Sequence, residues 1–144
     1  MRILLLNGPN LGRLGQRQPE VYGRTTLAEV VERGTDHAAG RGATLVQLQS
    51  NHEGVLIDRL EEIDYDGVVI NPGALGHTSY ALRDTIEGVG RPAVEIHISD
   101  VHAREEFRHV LVLEPVVVGQ VIGRGVDGYV EAIDLLLDHL GNTS

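Results

Sequence analysis

The chain has 144 residues, a formal net charge of −9, twelve basic side chains and no cysteine. That length suits one domain with a full core, expected to span residues 1–144. The acidic balance argues against a nucleic-acid partner, which would meet a basic face, and the missing cysteine excludes a disulfide scaffold and a thiol nucleophile. All twelve basic residues are arginine. Schiff-base chemistry and a Walker-type phosphate loop both need a lysine, so both are excluded, although a GC-rich genome would leave the same bias.

Met1 to Asn7 runs straight into a turn, too short a stretch for a signal peptide or a membrane span, so a cytoplasmic protein with no membrane partner is expected. Arg2 to Leu6 reads as a first strand. The segment after it, NGPNLGRLGQRQPEVYG, is long and rich in glycine and proline, and Gly12, Gly15 and Gly23 give it the freedom of a lid. Thr26-x-x-Glu29 is a capping box that opens a helix with Leu27, Val30, Val31 and Ala38 on one side, weakened at Gly34. Ala43 to Leu48 is a second strand, and Ser50-x-x-Glu53 caps a helix carrying Leu56, Leu60 and Ile63.

Gly67 to Ile70 forms a third, wholly apolar strand. After Asn71-Pro72-Gly73 the pattern predicts a helix over Thr78 to Glu87. Ala93 to Ile98 and Val116 to Ile122 read as strands four and five. The last helix shows Val126, Val130, Ile133, Leu137 and Leu140 at helical spacing. Strands that alternate with helices, some apolar on both faces, indicate a parallel sheet covered on each side. Such sheets bind ligands beyond the carboxyl ends of their strands, which directs attention to the loops after strands one, three and four.

In the first loop Tyr22 is a candidate base. Its hydroxyl needs a neighbouring guanidinium to favour the phenolate, and Arg17 or Arg108 can supply one. The ring can equally pack on the sheet edge. Glu95 and His97 share a face of strand four, because successive residues alternate. The glutamate can orient the imidazole for general-acid work, or the pair can be structural. Backbone N–H groups of Ile98 and Ser99 can meet a carboxylate. His77 stands beside a helix N-terminus, where it can bind an anion or simply cap. Arg104 and Arg108 form either an anion clamp or a solvated face with Glu105 and Glu106.

The seven histidines follow no zinc-finger spacing and form no HExxH, so no metal site is expected. Gly123-Arg124-Gly125-Val126-Asp127-Gly128 matches GxGxxG but lies at the wrong end of the chain for a dinucleotide fingerprint, with one helix left to follow. It reads as tight strand-to-helix packing.

Taken together, NGPNLGRLGQRQPEVYG, QSNHEG, VVINPGALGHTS, ALRD, VEIHISD, VHAREEFRH and the late GxGxxGY resemble the type II 3-dehydroquinate dehydratases. The resemblance implies a flavodoxin-like α/β fold of five parallel strands in the order 2-1-3-4-5, with helices on both faces. It implies anti elimination of water from 3-dehydroquinate through an enolate, the third step of the shikimate route, with no metal or cofactor. It also implies a homo-dodecamer built as four trimers.

Carried over by motif, Tyr22 would remove the C2 proton with Arg17 holding it as phenolate. His97, supported by Glu95, would protonate the departing C1 hydroxyl, and Asn10 would position the water that stabilises the enolate. Asn71, His77, Arg108 and the Ile98–Ser99 backbone would hold the substrate, with Asp84 reaching in from a neighbouring subunit. The chain departs from the family's usual residues at Gly76, Val110-Leu111, Glu114 and Asp127. The alternative reading is a flavodoxin-like flavin- or nucleotide-binding module.

Overall fold

Runs of β-branched and leucine residues make β1 (Arg2–Asn7) and β3 (Gly67–Asn71), and β4 (Ala93–His97) is apolar but for Glu95 and His97 on one face; these join β2 (Thr44–Gln49) and β5 (Gly119–Ile122) in one parallel sheet. The strand order is β2-β1-β3-β4-β5, as expected. A computed structural model describes residues 1–16 and 18–142; Arg17, residues 143–144 and the side chains of Tyr22 and Asn142 lie outside the described residues. The helices are α1 (Pro19–Tyr22), α2 (Leu27–Gly40), α3 (Glu53–Glu61), α4 (Tyr80–Val89) and α5 (Gly128–Asn142).

Alternation along each strand divides the core in two. Ile3, Leu5, Val69, Val94 and Ile96 face α2 and α5, where they meet Val30, Ala38, Ile133 and Leu136. Leu4, Leu6, Val68 and Ile70 face α3 and α4, where they meet Leu56, Leu60, Leu82 and Ile86. Each valine, leucine or isoleucine among them is worth roughly 1.5–3 kcal/mol when fully buried. Such burial on both faces is why the strands read as continuous apolar runs rather than alternating ones.

The predicted capping box is present in part. Thr26 Oγ1 accepts from Glu29 N at 3.2 Å, while its hydroxyl donates to the Glu29 carboxylate at 3.1 Å. Gly34 is buried, and a Cβ there would sit 3.3 Å from Ile133 Cδ1, so its lack of a side chain lets α2 pack close to α5. The late glycine motif is a packing device as expected. A Cβ on Gly128 would approach Ile96 Cδ1 to 3.1 Å and Val121 Cγ1 to 3.3 Å.

Several expectations need correction. Ser50 does not cap α3: its hydroxyl accepts from His52 N at 3.0 Å in a tight turn, and the cap position is His52. Ile63 lies past the end of α3 with a φ of 47° and is 40% exposed, so it leaves the apolar stripe. The fourth helix starts at Tyr80 rather than Thr78, because Ser79 Oγ accepts from Leu82 N and fixes the first turn there. The fifth strand begins at Gly119. Its partner β4 starts only at Ala93, whose carbonyl accepts from Val118 N at 2.8 Å, and residues Glu114–Val116 form a 3-10 turn around Pro115. In α5 the buried stripe is Tyr129, Ala132, Ile133, Leu136 and Leu137, so Val130 is only half-buried and Val126 precedes the helix.

Candidate active site

Chain order reverses between β1 and β3, and a cavity of about 180 Å³ opens at the carboxyl ends of β1, β3 and β4. Its walls come from three loops: Pro9, Asn10 and Leu11 after β1; Asn71, Gly73 and His77 from β3 and beyond; and His97, Ile98, Ser99, Arg104 and Arg108 from β4 and beyond. This is the switch-point position at which open parallel sheets bind ligands. The volume falls below the roughly 300–1,000 Å³ of drug-sized sites, which suits a compact polar molecule.

Backbone packing holds the first two loops together. A Cβ on Gly8 would lie 2.6 Å from the Pro72 carbonyl oxygen, so only glycine lets β1 exit this close to the β3 loop. Gly8 N donates to the Asn71 carbonyl at 2.8 Å. Asn10 follows in the left-handed region, with a φ of 72°, and its N–H donates to Asn51 Oδ1 at 3.0 Å. Gln49 Nε2 donates to the Gly8 carbonyl and to Asn51 Oδ1, both at 3.1 Å. The QSN stretch after β2 thus orients Asn10, a role that spacing alone does not reveal.

Asn71 is held from below. Its Nδ2 donates to the Tyr129 hydroxyl at 2.8 Å, that hydroxyl donates to Asn7 Oδ1 at 2.6 Å, and Asn71 Oδ1 accepts from Gly73 N at 3.2 Å. The chain of bonds leaves one orientation for the Asn71 amide. Burial pushes the Tyr129 hydroxyl well above the ordinary tyrosine value, keeping it a neutral donor.

The third wall carries a buried acid–base pair. His97 Nε2 meets Glu95 Oε2 at 2.7 Å, with the histidine 5% exposed and the glutamate 0%. A carboxylate only accepts, so Nε2–H donates to it and Nδ1 is left for the cavity. The other carboxylate oxygen, Oε1, accepts from Gln120 Nε2 at 2.7 Å. A Cβ at Gly76 would come within 3.2 Å of His97 Cε1 and 3.1 Å of Glu95 Oε2, so the lack of a side chain lets the β3 loop lie against the pair.

His77 lines the cavity instead of capping a helix, 5.8 Å from His97 between ring centroids. Its Nδ1 donates to the Val110 carbonyl at 2.8 Å, which leaves Nε2 to accept from a hydroxyl. Burial lowers the His77 imidazole below its usual value, against the raising effect of the Val110 bond. A neutral ring is therefore favoured.

Arg104 and Arg108 both line the cavity, so the clamp reading gains support, yet the solvated pairing is present too. Arg108 Nε donates to Glu105 Oε2 at 2.6 Å, and its guanidinium lies 4.7 Å from the centre of the Phe107 ring. Arg104 is extended rather than helical and donates to Ser99 Oγ at 3.2 Å. The two arginines therefore reach the cavity from a bent segment, not from one helix face.

Two expected groups cannot be placed. Arg17 lies outside the described residues, as does the Tyr22 side chain, although Tyr22 closes α1 before Gly23. Asp84 is exposed on α4 and does not line this chain's cavity. Among the described residues, no three His, Cys, Asp or Glu side chains gather to hold a metal, and no helix is long and apolar enough to cross a membrane.

The family model described as Dehydroquinase class II matches residues 1–137. The chain belongs to the class II dehydroquinases. A 3-dehydroquinate dehydratase from Anoxybacillus flavithermus is 53% identical over 96% of this chain and 95% of its own. A protein named catabolic 3-dehydroquinase 1, from Neosartorya fischeri, is 52% identical over 92% of this chain and 89% of its own. The crystal structure of the type II dehydroquinase from Butyrivibrio crossotus superposes with a TM-score of 0.93 at 45% identity, covering 95% of this chain and 97% of that one. The β2-β1-β3-β4-β5 order is that of the type II dehydroquinase fold.

Proposed function

We propose that the cavity dehydrates 3-dehydroquinate to 3-dehydroshikimate by anti elimination through an enolate. The observation that carries this reading is the buried Glu95–His97 pair, set against Asn10, Asn71, His77 and Arg108 around one small cavity in a class II dehydroquinase. The Tyr22 phenolate, stabilised by Arg17, takes the C2 proton. The C2 electrons then form the enolate of the C3 ketone, with its oxygen met by a water held by Asn10. On collapse the C1–O bond breaks, and His97 gives the departing hydroxyl a proton, so that water leaves.

Arg108 pairs electrostatically with the substrate carboxylate, which also accepts from the Ile98 and Ser99 amides. Asn71 and neutral His77 bind ring hydroxyls. General acid–base catalysis of this kind contributes typically 10²–10⁴-fold in rate per group. Asp84, exposed on α4, belongs to the cavity of a neighbouring copy in a dodecamer of four trimers, and residues 1–144 serve as one catalytic domain in the cytoplasm. A flavin- or nucleotide-binding role is not favoured: class II membership points to the dehydratase.

The test is direct. Purified protein given 3-dehydroquinate should generate the ultraviolet absorbance of a conjugated enone, with the rate unchanged by EDTA or borohydride. A flat trace at every pH from 6 to 9 overturns the assignment.

A further inference from the structure

We propose that Gln120 is a positioning residue for the acid of the site: it fixes the Glu95 carboxylate so that the carboxylate can hold His97. The inference rests on the reading of His97 as the group that protonates the leaving hydroxyl.

Gln120 and Glu95 are direct register partners on the parallel strands β5 and β4, so their side chains rise from the same face. Gln120 Nε2 donates to Glu95 Oε1 at 2.7 Å, while Glu95 Oε2 accepts from His97 at the same distance. Each oxygen of a carboxylate with no solvent exposure thus has one donor. Bonds to an ionised acceptor are shorter and stronger than neutral ones. With Oε1 tied to β5, the carboxylate cannot turn about its last torsion, and Oε2 stays aimed at the imidazole.

The rest of β5 is Gly119, Val121 and Ile122, so a single amide mid-strand must find a polar partner or stand at a cost. Its partner is the catalytic pair. Gln120 is absent from the cavity wall, so it acts through Glu95 rather than on the substrate. The His77 ring lies 5.8 Å from that of His97 between centroids, and β3 contributes Ile70, which does not titrate, as the register partner of Glu95.

The experiment uses two variants of the full chain, Gln120→Leu, similar in size and without a donor, and Gln120→Asn, polar but one methylene short. Steady-state kinetics with 3-dehydroquinate are measured from pH 6 to 9. Loss of the outer partner of a metal-bound imidazole typically costs 10–100-fold, and a fall in kcat on that order is expected here, with KM within about twofold of the parent. Gln120→Asn, which keeps an amide donor, is expected to lose less of kcat than Gln120→Leu.

Unchanged kcat in a folded Gln120→Leu overturns the inference, as does a loss carried by KM with kcat kept, or a loss in kcat as large in Gln120→Asn as in Gln120→Leu. A parent chain that is itself inert overturns the functional reading and this inference with it. An active parent with unaffected variants counts against Gln120 alone.

Discussion

The hydroxyl of Tyr129, on the first turn of α5, accepts a hydrogen bond from Asn71 Nδ2 at 2.8 Å and so joins the last helix to the floor of the cavity. The same hydroxyl donates to Asn7 Oδ1 at 2.6 Å, and all three side chains are almost fully buried. In Tyr129→Phe Asn71 Nδ2 and Asn7 Oδ1 each lose the hydroxyl they bond, and among the described residues Asn7 Nδ2 already has no partner. The expected loss of stability is about 1–3 kcal/mol by urea denaturation, with a higher KM as the Asn71 amide becomes free to turn. An unchanged midpoint would show that these buried bonds contribute nothing net.

Removal of either proton-transfer group should abolish turnover while the assembly stays folded. His97→Ala and Tyr22→Phe are each expected to lower kcat by roughly 10²–10⁴-fold. Circular dichroism provides the folding control. Near-parent rates in one of them would reassign that group.

His77 predicts how stability depends on pH. Its folded imidazole titrates below the ordinary histidine value because burial disfavours the charge. The unfolded chain therefore binds more protons at this residue, and stability rises with pH across that window. The contribution is complete above about pH 6.5, the unfolded value, and is lost as pH falls through the lower folded value. Urea midpoints measured from pH 7 downward should decline less steeply in His77→Gln than in the parent. Parallel slopes would mean that the ring is not held neutral by the fold.

Light scattering on the purified protein should give a mass twelve times the 15.6 kDa of one chain. In the proposed assembly Asp84→Ala should keep that mass and lose activity, because the side chain, exposed on its own subunit, would act in the cavity of the next. A monomer with full activity would show that each cavity is complete by itself.

The sequence alone determined the sheet and most of what lines the cavity. Apolar runs that bury both faces read as parallel strands, because burial acts residue by residue and needs no knowledge of the partner. Glu95 and His97 were legible as a pair for a similar reason: alternation puts residues two apart on one face. Tyr129, Gln120 and Asn51 were not, although each bonds a group of the site. A glutamine inside Val117-Val118-Gly119-Gln120-Val121 is a visible oddity, yet nothing local says which strand lies beside it. The expected stripe on the last helix missed Tyr129 for a related reason: only the docked helix shows which arc faces the sheet. Those partners come from residues 25 to 122 positions away, so strand register and helix docking, not periodicity, decide where each orienting bond lands.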